Sequence, residues 1–174
     1  GLFSGTPWPA ASRYHLTFRS PLTGCYGYAN AGGKVGPFLA ACGFDAVVVR
    51  GQAETPTHLL VGRGSVAILP AGDLWGRTTR ETEATLQERY PDAAVASIGP
   101  AGENGVRFAA VINDGGRAAA RTGGGAVFGS KNLKAVVVDK VPPDRAPTAF
   151  LAEARRATAQ LLSAPAIPNL SRWG

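Results

Sequence analysis

Apolar residues fall into three kinds of run along this chain. Arg13-Tyr-His-Leu-Thr-Phe-Arg19 alternates apolar and polar positions and is rich in aromatic and β-branched residues, which predicts a half-buried strand. Ala46-Val-Val-Val-Arg50 and Lys134-Ala-Val-Val-Val-Asp139 are uninterrupted instead, which predicts two strands buried on both faces. Thr79–Tyr90 has helical spacing, with Leu86 inward, Glu81, Glu83 and Glu88 on polar faces, and Pro91 as a stop. Thr148–Leu162 is a second amphipathic helix. Between them, His58–Gly62 and Ser65–Leu69 read as a hairpin around Gly62-Arg-Gly64. Ala94–Ile98 and Val106–Ile112 read as strands. Ser20–Gly24, Asp73–Gly76 and Asn113–Gly116 read as turns, and Gly99–Asn104 as a loop.

One segment is written twice. Asn30-Ala-Gly-Gly33 leads through a short helical stretch, closed by Gly43, to Ala46-Val-Val-Val49. Arg121-Thr-Gly-Gly124 leads through a similar stretch to Ala135-Val-Val-Val138. Each copy is preceded by a strand and a turn, containing Arg13 in the first and Arg107 in the second. Strand, turn, glycine loop, helix and buried strand therefore recur in order. This predicts an α+β domain of two intertwined, pseudo-equivalent halves. Glycines ahead of a helix let a ligand approach the backbone closely, and helix N-termini favour anions. A tight turn that only packs explains a single glycine pair equally well; the duplication favours two related ligand sites, or one ligand with two similar halves.

With 174 residues, 45% hydrophobic and 17% charged, the chain suits a globular domain with a real core. No apolar stretch reaches membrane-spanning length, and no basic leader with an apolar core opens the chain. Two cysteines, Cys25 and Cys42, form no framework, which suits a reducing, cytoplasmic compartment. There is no methionine, so the opening Gly-Leu-Phe suggests a piece cut from something longer. The net charge is +6, carried by 14 arginines and 4 lysines. Arginine suits bidentate recognition of phosphate or carboxylate. The basic residues are scattered without interleaved aromatics, which argues against nucleic acid.

Reaction chemistry is sparse. His15 and His58 are the only histidines and read more readily as packed or solvent-facing rings than as catalysts. Cys25 has no evident basic partner, and Cys42 reads as core. Glu103 and Asp114 are accounted for as turn residues. No cluster has metal-ligand spacing. Gly129-Ser-Lys131 has the wrong order for a nucleotide-phosphate loop. The chain offers anion-binding loops without a reaction centre, the composition of a cofactor platform; no residue is assigned a catalytic role.

Several runs resemble one family. They are Ile98-Gly-Pro-Ala-Gly-Glu-Asn104, Arg107-Phe-Ala-Ala110, Asn113-Asp114, Arg117-Ala-Ala119 and Gly125-Ala-Val-Phe-Gly-Ser-Lys-Asn-Leu-Lys-Ala135. Ser12-Arg-Tyr14, Ser20-Pro-Leu-Thr-Gly24, Asn30-Ala-Gly-Gly33, Gly43-Phe-Asp-Ala46 and Leu74-Trp-Gly76 add to them. The set is collinear across residues 1–140 and resembles the N-terminal domain of tungsten-containing aldehyde ferredoxin oxidoreductases. Residues 141–174 then read as a proline-bearing linker (Pro142, Pro143, Pro147) and the start of a following helical domain.

The resemblance implies an α+β fold of two β-sheets with helices and an internal pseudo-twofold duplication. It implies that this fold carries a tungsten ion, with molybdenum as the alternative, held by two pterin dithiolenes whose phosphates are bridged by magnesium. It matches Arg13 and Asn30 to cofactor contacts in the first half, and Arg121 and Thr122 in the second. Gly32, Gly33, Gly123 and Gly124 would admit backbone to the pterin phosphates. The carbonyls of Asn30 and Thr122 would be the magnesium contacts. Where the family pattern has Gly-Arg-Gly-Gly, this chain has Ala120-Arg-Thr-Gly123, which restricts the backbone there; Phe128 replaces a methionine. The implied parent enzyme oxidises aldehydes to carboxylic acids and passes electrons through a four-iron cluster to ferredoxin or another electron-transfer subunit. Its first strands, its cluster cysteines and its acid/base residues would lie outside this chain, so the chain alone is expected to be inactive. The other expectation is a non-catalytic fragment or binding subunit that needs a partner chain. A homo-oligomer is compatible with either.

Overall fold

A computed structural model describes residues 3–141, 148–168 and 172. The prolines of the expected linker lie outside the described residues. Strand β1 (Tyr14–Arg19) turns through Ser20–Cys25 into β2 (Tyr26–Ala31), and the two pair antiparallel as a sheet of their own. The second sheet is built from β3 (Thr57–Gly62), β4 (Ser65–Pro70), β5 (Ala94–Ser97), β6 (Val111–Asn113), β7 (Arg117–Ala119) and β8 (Leu133–Val138). Its order is β4-β3-β8-β5-β6-β7, with β3 and β8 parallel and every other pair antiparallel. The architecture is α+β with two sheets.

The uninterrupted valines of β8 lie at the centre, as their composition requires. Val138 joins Val61, Ala94, Ala96 and Val111 in one apolar cluster with Tyr14, Ala29, Ala31 and Val35, from the small sheet and helix α1 (Val35–Ala41). Ala135 and Val137 join Val95 and Leu86 in a second cluster, beneath helix α2 (Thr79–Arg89). The large sheet thus carries the hairpin and α1 on one face and α2 on the other. Helix α2 starts where its sequence says it should: the Thr78 hydroxyl and the Glu81 carboxylate form a reciprocal capping box.

Helix α3 (Pro100–Glu103) occupies the stretch expected to be loop, and it packs on α4 (Gly124–Ser130). Only glycines permit this approach: a Cβ on Gly129 would stand 2.0 Å from the Gly102 carbonyl oxygen. Beside them lies a buried ion pair. Lys134 Nζ donates to Glu103 Oε1 and to the Arg77 carbonyl (2.8 Å), while Gly76 N donates to Glu103 Oε2 (2.8 Å). Glu103 is therefore more than a turn residue: it ties the Leu74-Trp-Gly76 turn to the central strand. Helix α5 (Thr148–Leu162) follows, with Phe150 beside Phe3 and Trp8. Among the described residues no helix is long and apolar enough to cross a membrane.

The duplication appears as hairpin, glycine loop and seven-residue helix, once as β1-β2-α1 and once as β6-β7-α4. It does not extend to the following strand. Ala46–Arg50 was expected to be a buried strand, but it forms no strand, and Val48 is 75% exposed. Val47 alone packs against the core. An uninterrupted valine run predicts burial only where a partner strand and two covering layers exist, and no strand pairs with this run among the described residues. The strand expected over Val106–Ile112 shrinks to β6. The backbone before it is spent elsewhere: Val106 N donates to Ala101 O, and Ala109 O accepts from Gly125 N.

Candidate cofactor-binding face

The inner strands β2 and β7 of the two hairpins lie side by side without pairing. At one end Thr122 Oγ1 donates to the Tyr28 carbonyl (3.1 Å); at the other, Asn113 Nδ2 donates to the Gly32 carbonyl (2.9 Å). The strands therefore run in opposite directions, and each delivers its glycine loop to an opposite end of the pair. Tyr28 and Gly32 are four residue steps apart along the extended chain, so the loops sit ~14 Å apart at about 3.4 Å per step.

Small residues Gly27 and Ala29 of β2 turn inward, and Tyr26 and Tyr28 turn out to solvent. Beside them β1 exposes His15, Thr17 and Arg19. Arg13 donates to Asn30 Oδ1, joining two of the expected contact residues at the mouth of the first loop. Arg121 is exposed at the second loop, and Arg117 Nη1 would lie 3.4 Å from a Cβ on Gly32. Among the described residues Arg13, Arg19, Arg117 and Arg121 make no ion pair. The face is basic, open and flanked by exposed tyrosine rings with centroids 6.3 Å apart.

The loops differ in detail. Three residues, Gly32-Gly33-Lys34, connect β2 to α1, whereas four, Ala120-Arg-Thr-Gly123, connect β7 to α4. Gly33 (φ +108°) precedes the helix cap Lys34; Gly123 (φ +86°) is itself the cap, and Gly124 is the first helical residue. The glycine pairs that align in sequence are thus not equivalent in space. Both positive-φ glycines are tightly enclosed: a Cβ on Gly33 would meet Asp114 Oδ2 at 1.9 Å, and one on Gly123 would meet Arg107 O at 2.0 Å. Thr122 adopts φ +63°, an outlier for a β-branched residue. It is held by its own hydroxyl, whose single proton is shared between Tyr28 O and Arg121 O (2.7 Å), and by Ser20 Oγ, which donates to the Thr122 carbonyl (2.8 Å).

The supporting residues are ones the sequence reading passed over. Asp114 Oδ2 accepts from Lys34 N (2.6 Å) and from Asn113 Nδ2 (2.9 Å). Tyr14 donates to Asn113 Oδ1 (3.0 Å), and burial, reinforced by the Asp114 charge, pushes its phenol well above the usual range. A cleft of about 610 Å³ opens between the first loop, the Asp114-Gly115 turn and α2, where Lys34, Arg80 and Arg117 face Glu83 and Asp114. Glu83 is engaged by Gly115 N (3.1 Å). The signal that could have found these groups is positional: Ser20 and Asp114 each sit in the turn of the hairpin that precedes a glycine loop. Elsewhere His58 is buried and its pKa is lowered, chiefly by desolvation; Cys42 is buried and Cys25 is exposed. Among the described residues no three His, Cys, Asp or Glu side chains gather as metal ligands, so a metal here would depend on backbone oxygens or on a ligand.

Two similar loops closing the ends of a basic sheet face make a platform suited to an extended anion with two comparable halves. Residues 1–140 match the family model for the aldehyde ferredoxin oxidoreductase N-terminal domain, and the chain belongs to this family. It is 48% identical over 141 residues to the tungsten-containing aldehyde ferredoxin oxidoreductase of Pyrococcus furiosus, covering 80% of this chain and 23% of that protein. The corresponding enzyme of Thermococcus kodakarensis is 47% identical, with the same coverage. The WOR-like subunit of an aliphatic sulfonate oxidoreductase from Pyrococcus furiosus is 36% identical over 118 residues, 60% of this chain and 19% of that one. Among solved structures, the active site complex BamBC of benzoyl coenzyme A reductase superposes with a TM-score of 0.79 at 35% identity, over 82% of this chain and 22% of that one. The chain thus spans less than a quarter of the length of these relatives.

Proposed function

We propose that this chain is the cofactor-holding domain of a cytoplasmic tungsten oxidoreductase of the aldehyde ferredoxin type. The observation that carries the reading is the pair of glycine loops at opposite ends of β2 and β7, with arginines beside each that make no ion pair among the described residues. The residues fit a bis-pterin group with two phosphates. Arg13 and Arg121 would meet its anionic ends, and Gly32, Gly33, Gly123 and Gly124 would let backbone approach them. The carbonyls of Asn30 and Thr122 would face a bridging magnesium ion. Because Asn30 lies two residues, about 7 Å, along β2 from the Tyr28 carbonyl that Thr122 touches, at least one of them would reach it through water. Thr122 O already accepts from Ser20 Oγ at 2.8 Å and keeps a second lone pair for the ion. When bound, the tungsten centre supplies the two-electron chemistry that converts an aldehyde and water to a carboxylic acid. This chain's own residues bind and orient. The substrate pocket, the four-iron cluster and the contact with ferredoxin or another electron-transfer subunit belong to the rest of the enzyme.

The test is metal and pterin analysis of the natively purified full-length enzyme. Tungsten, magnesium and about two pterins per chain support the reading, and their absence sinks it. Replacing Arg13 with Ala removes a charge-assisted contact contributing about 1.5–3 kcal/mol. Tungsten content should fall with it; unchanged content would reject the Arg13 assignment.

A second reading, a non-catalytic fragment or subunit that needs a partner, is favoured by a separate observation. The apolar Ala46–Arg50 run and the edge strand β4 both present exposed backbone and apolar side chains, including Val48 at 75% and Ile68 at 68% exposure. Gel filtration separates the readings: a soluble, monodisperse monomer counts against a chain that requires a partner.

A further inference from the structure

We infer that Ser20 and Asp114 are reciprocal positioning residues that make the two glycine loops one cooperative unit. The inference rests on the reading of the loops as two ends of one cofactor site. Each loop is held by the turn of the opposite hairpin. Ser20, in the β1-β2 turn, accepts from Leu22 N and Thr23 N (3.2 Å each) and donates to Thr122 O (2.8 Å) in the second loop. Asp114, in the β6-β7 turn, accepts from Lys34 N (2.6 Å) at the end of the first loop, and its neighbour Asn113 donates to Gly32 O (2.9 Å).

The covalent chain completes a circuit. The Ser20 turn runs into β2, and β2 into the first loop; that loop rests on the Asp114 turn. The Asp114 turn runs into β7, and β7 leads to the second loop, which rests on Ser20. Each strand is short, six residues for β2 and three for β7, so displacement of either turn reaches both loops. Gly33 and Gly123 remove the slack: any side-chain carbon there would collide with Asp114 or with Arg107 and Pro21. Neither Ser20 nor Asp114 needs to touch the cofactor. Their role is to set the Thr122 carbonyl and the Lys34 amide at the two ends together.

The experiment uses the full-length enzyme carrying Ser20→Ala, Asp114→Ala or both, with Ser20→Thr and Asp114→Asn as conservative rescues. Amide hydrogen exchange is read at residues 32–35 and 122–126 of the cofactor-free protein. Tungsten, magnesium and pterin per chain, with their release half-time in EDTA, are read in the loaded protein. One lost hydrogen bond corresponds to about a threefold or greater acceleration of local opening. In Ser20→Ala that acceleration should appear at residues 32–35 as well as at 122–126, and in Asp114→Ala at both again. The double variant should release tungsten no faster than the worse single variant, since one break opens the circuit. Ser20→Thr should restore wild-type exchange and retention. Acceleration confined to the loop each residue touches, or losses that multiply in the double variant, would overturn the inference. Should Asp114→Ala fail to fold by circular dichroism, Ser20→Ala with its threonine rescue decides alone. A wild-type enzyme without pterin would remove the proposed function, while the exchange data would still decide the coupling.

Discussion

Replacing Gly33 with alanine isolates the most crowded point of the face. The backbone there has φ +108°, and a left-handed conformation costs an L-residue roughly 1–2 kcal/mol. The new Cβ would lie 1.9 Å from Asp114 Oδ2 and 2.8 Å from Asn113 Nδ2, so the carboxylate must leave its place. Its bond to Lys34 N, 2.6 Å long, goes with it. A hydrogen bond to a charged group is worth about 1.5–3 kcal/mol. The two terms together give roughly 2.5–5 kcal/mol, or a drop in unfolding midpoint of roughly 5–20 °C for a domain of this size. Gly43→Ala is the matched control, because Gly43 has φ +88° with no atom within 4 Å of its would-be Cβ. It should show only the backbone cost of roughly 1–2 kcal/mol. Thermal and urea unfolding of both variants, followed by circular dichroism, gives the comparison. Equal losses in the two would refute the steric argument, and with it the claim that Asp114 clamps the first loop.

Other consequences are open to similar tests. Glu103→Ala leaves Lys134 buried and uncompensated, at a cost of about 3–5 kcal/mol; urea unfolding should show Glu103→Ala combined with Lys134→Met to be less damaging than Glu103→Ala alone. His58 bears on pH. Its Nε2 lies 3.2 Å from Tyr90 Oη, and burial, outweighing the opposing effect of the Pro70 backbone, holds its pKa below the ordinary 6.5. The unfolded chain takes up its proton near 6.5 and the folded one only at lower pH, so this contribution is intact above 6.5 and declines as pH falls from 6.5 towards the folded value. The unfolding midpoint should fall across that window, and His58→Gln should flatten the slope; an unchanged slope would discount the buried ring.

The elements that were legible are those whose pattern is fixed by burial on a known face. The alternation of β1, the capped helix α2 and the valines of β8 each state their own environment. Strand β2 was harder. Its inward positions are Gly27, Ala29 and Ala31, small residues that let α4 and β7 approach, and they carry little strand propensity. Strand β7 has three residues, too few for a period to show. The Ala46–Arg50 run failed in the opposite sense, since apolarity specifies a wish for cover and says nothing about what supplies it. Within the candidate site, the glycines and arginines could be read because their backbone freedom and charge are intrinsic. Ser20, Asn113 and Asp114 could not, since each looks like an ordinary turn former until the opposite hairpin is placed against it. The unequal connectors, three residues against four, were likewise hidden behind glycine pairs that align well in sequence.

That inequality bears on any ligand made of two chemically identical halves. Free in solution such a molecule is symmetric. Held between Gly32-Gly33-Lys34 at one end and Arg121-Thr122-Gly123 at the other, it has no symmetry left. One half would meet a glycine turn clamped by Asp114, with an ammonium group beyond it; the other would meet a threonine carbonyl held by a serine. The protein thereby assigns the halves different electrostatic surroundings without any difference in their covalent structure. A duplicated scaffold with one residue of mismatch is a polarising frame, able to give two distinct ends to a ligand that has none of its own.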